Sequence, residues 1–320
     1  MEKTVVRKIK VVNLRTEGTL LLILLVLGIA LSIATDNFLT PGNLSNLVRQ
    51  TSVSGIVALG MTFVIIAGGI DLSVGSSVGF AGIFVALLMT KGGLPIIPSV
   101  IISLIVTTAF GVLNGVMIFD GKVPPFIATL GTMTIVRGAI MLVSGAKMVA
   151  GLPKPFLDFS QNTFLMLPNL FVVWFLLILI CAFVAAETRF GRNVYTIGSS
   201  TEVARLCGIN IRMNTYMIYG VCAFLSAVAG ILMTSRLANG IPTGGQGYEL
   251  EAIAASVVGG ASLSGAEGTI LGTVLGAVIM AVIRNGGNLL GIDPFILQMV
   301  NGFLIIFAVL IDQMRKMRMK

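Results

Sequence analysis

The 320-residue chain is 56% hydrophobic and only 11% charged, with a mean hydropathy of +1.02. Soluble domains carry roughly 25% charged residues, so this composition excludes a sizeable soluble domain and describes an all-α polytopic membrane protein. The net charge of +8 comes from Lys and Arg gathered at the two ends and in one internal loop beside apolar runs, the pattern of cytoplasmic loops and not of a nucleic-acid groove.

The chain contains no histidine, which excludes His-based catalysis, His metal ligands and His proton relays. Cys181, Cys207 and Cys222 are odd in number and two lie in apolar runs, so they read as reduced small hydrophobes without a disulfide framework.

In chain order, Lys3, Arg7, Lys8, Lys10 and Arg15 precede an uncharged run from Gly18 to Thr35. A signal peptide with Ser32-Ile33-Ala34 as its cleavage site is one reading. An uncleaved first span with a cytoplasmic N-terminus better suits the length of the run and the many spans behind it. Asp36 to Gln50 reads as an external connection with a short helix, Thr40 and Pro41 giving its cap and first residue. Thr51 to Ala67 and Ser73 to Thr90 form the two arms of a hairpin, and Pro95 to Phe119 and Phe126 to Ser144 the next spans.

Arg137 falls inside the last of these; at depth it costs at least about 2.5 kcal/mol unless paired or wet, so it faces the bundle or snorkels outward. Gly115 to Lys122 lacks the spacing of a phosphate loop, and Val123 stands where Ser or Thr is required, which excludes ATP binding by that motif.

Ala146 to Pro168 is the longest external connection, and Asn169 to Ala186 a span. Glu187 to Asn214 is the one long polar interior segment, cytoplasmic by its Arg189, Arg192, Arg205 and Arg212. Within it Thr201 can cap a short helix over Glu202 to Cys207, stopped by Gly208, with Val203, Leu206 and Cys207 on one face. A helix this short is marginal alone, so it packs either on the bundle's own inner surface or on a cytosolic partner. Tyr216 to Leu237 spans back, Ala238 to Tyr248 is a glycine-rich external loop, and a second hairpin runs from Leu250 to Ile283. A last span, Pro294 to Ile311, leads to Arg315, Lys316, Arg318 and Lys320. Both termini and the Arg-rich loop on one side require about six spans before that loop and about four after it, about ten in all.

Both hairpins are interrupted by one pattern. Gly68-Gly69-Ile70-Asp71-Leu72-Ser73 recurs as Gly259-Gly260-Ala261-Ser262-Leu263-Ser264 between apolar segments. A plain loop is the simple reading of either copy. Irregular backbone in lipid is tolerated only where protein or a water-filled cavity satisfies it, and duplicated glycine-interrupted segments mark transport sites. Asp71 is expected to accept N–H groups at the start of the next half-helix, a structural and gating role.

The chain resembles the permease subunits of bacterial ABC importers for monosaccharides, most closely the ribose and galactose type. The stretches that carry the resemblance are ALGMTFVIIAGGIDLSVGS (58–76), PPFIATLGTM (124–133), TRFGRNVYTIGSSTEVARLCGIN (188–210), GYELEAIAASVVGGASLSGAEGTILGT (247–273) and NGFLIIFAVLIDQ (301–313). They cover nearly the whole chain in order. The resemblance implies a single 1–320 permease domain of the type II ABC importer kind in the bacterial plasma (inner) membrane. It implies a second permease subunit, a copy or a close paralogue, and an extracytoplasmic sugar-binding protein. A cytosolic ABC ATPase would bind the ATP and Mg, leaving this chain without a cofactor or catalysis of its own.

The resemblance also implies that Gly198, Thr201, Glu202, Val203, Ala204, Arg205, Leu206, Gly208 and Ile209 form a coupling helix on the ATPase. The chain departs from the pattern at Gly198-Ser199-Ser200, where such permeases commonly read Gly-Gly-Asn, and at Val203, where they often carry Ala. A permease supplied by a binding protein needs little affinity of its own, so its path should hold few polar groups. Candidates are Phe126, Thr129 and Met133 on one span and Gln298 with Asn301 on the last, at helical spacing; the alternative is that the polar ones bond neighbouring helices. An ion-coupled secondary transporter would need intramembrane carboxylates; Asp71 is the one clear candidate, since Glu187, Glu249, Glu251, Glu267 and Asp312 fall near expected span ends.

Overall fold

The computed structural model describes residues 2–319, with side chains over 17–307 and at Val309, Leu310, Met314 and Met317. The side chains of Lys3, Arg7, Lys8, Lys10, Arg15, Asp312, Arg315, Lys316 and Arg318, and all of Lys320, lie outside the described residues. The elements in order are α1 (Glu2–Ala34), α2 (Pro41–Ile66), α3 (Val74–Thr90), α4 (Ile96–Phe119), α5 (Pro125–Ser144), α6 (Lys154–Gln161), β1 (Thr163–Phe164), β2 (Leu167–Pro168), α7 (Asn169–Glu187), α8 (Arg189–Ser199), α9 (Thr201–Leu206), α10 (Ile211–Leu237), α11 (Tyr248–Val258), α12 (Ile270–Leu289) and α13 (Pro294–Met319).

Among the described residues, seven helices are long and apolar enough to cross a membrane: the Glu17–Ala34 part of α1, and α2, α4, α5, α7, α10 and α12. Shorter apolar helical segments are α3, with 17 residues, and Pro294–Phe307 of α13, while α11, with 11 residues and two carboxylates in its first turn, is the first arm of the second hairpin.

Helices α2 and α10 form the centre. Every α2 side chain from Thr51 to Ile66 is buried, and α10 packs along α4, α3 and α2. Small residues bring these backbones together, as expected where lipid offers no hydrophobic drive between helices. Gly111 of α4 lies against the backbone of Tyr219 on α10 and Gly230 of α10 against that of Val78 on α3. Helix α7 by contrast leaves Phe175, Leu176, Leu179, Ile180 and Phe183 exposed, the lipid-facing side of a bundle helix.

The structure refines the sequence reading at four places. The short helix of the 36–50 connection is the first part of α2, because no glycine or proline lies between Gly42 and Thr51 to separate it from the span; Thr40 Oγ1 caps it by accepting from Asn43 N–H at 3.4 Å. The 146–168 connection holds α6 and a two-stranded hairpin. The 238–248 loop dips into the bundle, where Gly244 O accepts from Arg137 Nη1 at 2.8 Å, so Arg137 pairs inward instead of snorkelling. Glu251 lies in the first turn of α11, near a helix end as expected, but it is buried, 6% exposed, and bonded to Arg284 of α12 at 2.6 Å.

Candidate functional site

Both glycine-serine stretches break a helix in the same way. Beyond α2, Gly68 N–H donates to Ile65 O at 2.8 Å and Gly69 N–H to Val64 O at 2.9 Å. Beyond α11, Gly260 N–H donates to Val257 O and Ala261 N–H to Ser256 O, each at 2.9 Å. The left-handed residue closing each turn is Gly68 (φ +82) in the first copy and Gly260 (φ +95) in the second, so the turn slips by one position within the repeat. A left-handed residue past a helix end is the usual way to satisfy its last carbonyls.

The position that differs chemically, Asp71 against Ser262, does one job in both. Asp71 Oδ1 accepts from Ser73 N–H at 2.8 Å and from Ser73 Oγ at 2.6 Å; Ser262 Oγ accepts from Ser264 N–H at 3.2 Å. Each side chain replaces a helical carbonyl for the backbone two residues on.

Asp71 is fully buried and heads a polar chain. Asn114 Nδ2 of α4 donates to Ser73 Oγ at 3.0 Å, and Thr132 Oγ1 of α5 donates to Asn114 Oδ1 at 2.6 Å. Thr129 is also buried, with its hydroxyl donating to Pro125 O at 2.9 Å and lying 3.4 Å from Ile70 O in the break. Cys222 and Tyr219 of α10 adjoin Asp71 on the other side. The first break is therefore gripped by α4, α5 and α10. Asn114, Thr132 and Tyr219 were not singled out from the sequence, although an Asn inside an apolar span is a signal of this kind.

The two breaks touch. Ala266 N–H, in the second, donates to Ile66 O, the last residue of α2, at 2.8 Å. Deeper, Thr62 Oγ1 on α2 meets Thr273 Oγ1 on α12 at 2.7 Å and Ser256 Oγ on α11 at 3.3 Å, so the hairpins are joined by hydroxyl contacts in the core as well as by backbone at their ends.

The Arg-rich loop closes over this junction. It folds as two helices; α8 was not anticipated, because its glycines and polar residues conceal a period visible only once Val194 and Ile197 are seen buried. Thr188 Oγ1 caps α8 by accepting from Gly191 N–H at 3.1 Å. Phe190 lies 5.9 Å from Phe63 of α2, centroid to centroid, and Tyr195 Oη donates to Gly268 O at 2.8 Å. Gly198 occupies the junction: a Cβ there would lie 1.8 Å from Ile66 O and 2.7 Å from Ala266 N, so glycine alone fits.

The cap of α9 is Ser200, whose Oγ accepts from Val203 N–H at 3.2 Å, and not Thr201, which is the first helical residue. Gly208, with φ +73, and Ile209 end it, their N–H groups donating to Arg205 O and Ala204 O at 3.0 Å each. Ala204 alone faces the bundle and is fully buried. Val203 is 51% and Leu206 82% exposed, and Glu202, Arg205 and Cys207 are exposed as well, so the apolar face does not lie on the bundle's own surface.

The two sets of path candidates are placed apart. Helix α5 packs on α3 and α4, whereas α13 packs on α11 and α12. Phe126 is exposed and Met133 half-buried beside the buried Thr129; Gln298 is exposed and Asn301 half-buried. Among the described residues no group of His, Cys, Asp and Glu could hold a metal ion.

Comparison with known proteins agrees with this architecture. Residues 43–309 match the family described as branched-chain amino acid transport system / permease component. The chain is 41% identical over 292 residues to the ribose import permease of Bacillus subtilis, covering 91% of this chain and 90% of that one. It is 37% identical over 304 residues to the ribose import permease of Escherichia coli, with 92% and 93% covered. Against the galactose/methyl galactoside import permease of the same organism the identity is 36% over 323 residues, with 95% and 96% covered. No solved structure matches. With one family spanning all but the ends and relatives aligned over nine-tenths of their length, the chain belongs to the branched-chain amino acid transport system / permease component family, the non-catalytic permease subunits of ABC transporters.

Proposed function

We propose that this chain forms the translocation path of an ATP-driven importer for a monosaccharide, ribose foremost, handed over by an extracytoplasmic binding protein. In this reading the 1–320 domain pairs with a second permease subunit, a copy or a close paralogue. The exposed Val203 and Leu206 face of α9, flanked by Glu202 and Arg205, docks on a cytosolic ATPase that binds the ATP and Mg. Both termini face the cytoplasm of the bacterial plasma (inner) membrane, and α1 to α5, α7 and α10 to α13 make about ten crossings. The family's own description refers to amino acids; the sugar is supported by the names of the aligned relatives, which are import permeases for ribose and galactose.

The observation that carries the mechanism is the junction of Gly198 with Ile66 and Ala266. Motion of α9 on a nucleotide-driven partner is passed through α8 to the ends of both broken hairpins at once, so a single displacement acts on two gates. Ion-coupled transport is disfavoured because Asp71, the one clear intramembrane carboxylate candidate, is fully buried with its Oδ1 holding the Ser73 turn, and because the aligned relatives are ABC import permeases. The test is uptake into proteoliposomes. Labelled ribose should accumulate only when this permease, its ATPase, ATP and loaded binding protein are all present. Uptake by this chain alone, driven by an ion gradient without ATP, would replace this reading with the ion-coupled one.

A further inference from the structure

The hairpin of β1 and β2 carries a feature that neither the transport reading nor the family absorbs. Its strands pair as Thr163 with Pro168 and Phe164 with Leu167, leaving Leu165 and Met166 as the two turn residues, at φ +50 and +67. Two-residue hairpin turns with both residues left-handed strongly favour Asn-Gly, Asp-Gly or Gly-Gly, since a side chain is strained there. This chain instead places two bulky apolar residues in the strained positions and exposes them: Leu165 is 79% and Met166 95% exposed, with Phe164 at 60% beside them. Nothing in the turn itself rewards that choice, so the reward lies in what surrounds the tip.

The surroundings follow from the length of α7, which starts directly after β2. Its 19 residues rise about 28 Å at 1.5 Å each, slightly less than the roughly 30 Å of bilayer hydrocarbon. At its far end come Glu187 and Arg189, so no apolar length is available there. The deficit falls at the near end, where Phe164 to Leu167 precede the helix and are exposed, as are Phe175, Leu176 and Leu179 on it. Polar groups at the base of the hairpin bond one another: Asn169 N–H donates to Asn162 O at 3.1 Å, and Asn169 Nδ2 donates to Phe159 O at 3.0 Å. Further from the tip, Arg49 of α2 donates to Gln161 at the end of α6.

We propose that the Phe164 to Leu167 tip is a lipid-binding element that inserts among the acyl chains and headgroups at the boundary where α7 enters the bilayer, extending the short span and fixing its depth. The partner is the phospholipid surface itself. The side chains demanded by that environment are apolar and bulky, which is why a turn-forming Asn-Gly is absent.

The test uses full-length permease in nanodiscs of phosphatidylethanolamine and phosphatidylglycerol, with Cys207→Ser removing the exposed native thiol. A nitroxide is attached at Met166→Cys, and in a second protein at Leu165→Cys, so that failure of one to fold leaves the other to report. Ile180→Cys on the exposed side of α7 calibrates lipid and Lys154→Cys on α6 calibrates water. The tip labels should collide with oxygen in preference to a water-soluble nickel chelate, with a ratio several-fold above that at position 154 and close to that at 180. A ratio matching position 154 would place the tip in water and overturn the proposal. Protection from both reagents would also overturn it, in favour of a protein partner such as a second copy of the chain.

Discussion

Replacing Gly198 with Ala tests whether α8 transmits motion to the two breaks. The added methyl would lie 1.8 Å from Ile66 O and 2.7 Å from Ala266 N, on the 2.8 Å hydrogen bond those two atoms share. Contact to carbon is comfortable only from about 3.5 Å and intolerable much below 3 Å, so α8 must retreat by at least about 1.2 Å or the bond must open. Forced retreat in a packed site costs typically about 1–3 kcal/mol, and leaving the amide and carbonyl unpaired costs about 1–3 kcal/mol. At about 2 kcal/mol the population with α8 seated falls about 30-fold. In proteoliposomes holding the assembled importer, ATP-dependent uptake per complex should fall by about tenfold or more. Stimulation of ATP hydrolysis by loaded binding protein should fall with it, while the unstimulated rate persists. Gly131→Ala on α5, where a Cβ meets open space, is the control and should leave both unchanged. Wild-type coupling in Gly198→Ala would refute the idea that this junction carries the signal.

Arg205→Glu reverses the charge on the exposed side of α9 and should abolish stimulated ATP hydrolysis and uptake with membrane insertion intact; normal coupling would remove the docking assignment. Asp71→Asn keeps one acceptor for Ser73 but weakens it, so assembly or coupling should drop while preference among sugars, read by competition, stays the same; altered preference would make Asp71 a substrate contact. Glu251→Gln strands Arg284 between α11 and α12. The loss should fall at the low end of about 3–5 kcal/mol, since Arg284 retains 26% exposure, and should appear as a lower melting temperature in detergent that Arg284→Met partly restores. Cysteines at 298 and 301 on α13 should react with small water-soluble thiol reagents in the resting state, and those at 129 and 133 only when ATP and loaded binding protein are added, because Thr129 is buried; if all four stay inert in every state, these faces do not line the path.

What the sequence revealed and concealed follows from how far apart in the chain the deciding groups lie. The helix breaks were legible because glycine, a short acceptor and serine are a local code: Asp71 and Ser73, or Ser262 and Ser264, need only each other to close a turn. The α9 helix was legible for the same reason, and the error in its cap is a choice between adjacent hydroxyl residues, Ser200 and Thr201. Helix α8 was concealed because contacts that seat it come from 73 to 132 positions away, as in Tyr195 on Gly268 and Gly198 on Ile66. The hairpin at 163–168 was concealed because Leu165-Met166 carries no turn code at all. That Glu251 lies near a helix end was legible, but its burial was not, because the compensating charge, Arg284, sits on the next helix. These cases share a direction: where the sequence breaks its own local rules, with glycine in a helix, bulky residues in a left-handed turn or a carboxylate in a core, another element or the bilayer provides the compensation. In this chain those places are the junction of the two helix breaks, the strained apolar tip and the α11–α12 ion pair. Residues at such positions have their fit set by a distant partner, so substitutions there should disturb transport or membrane seating more than equally large changes on the lipid-facing sides of α5 and α7.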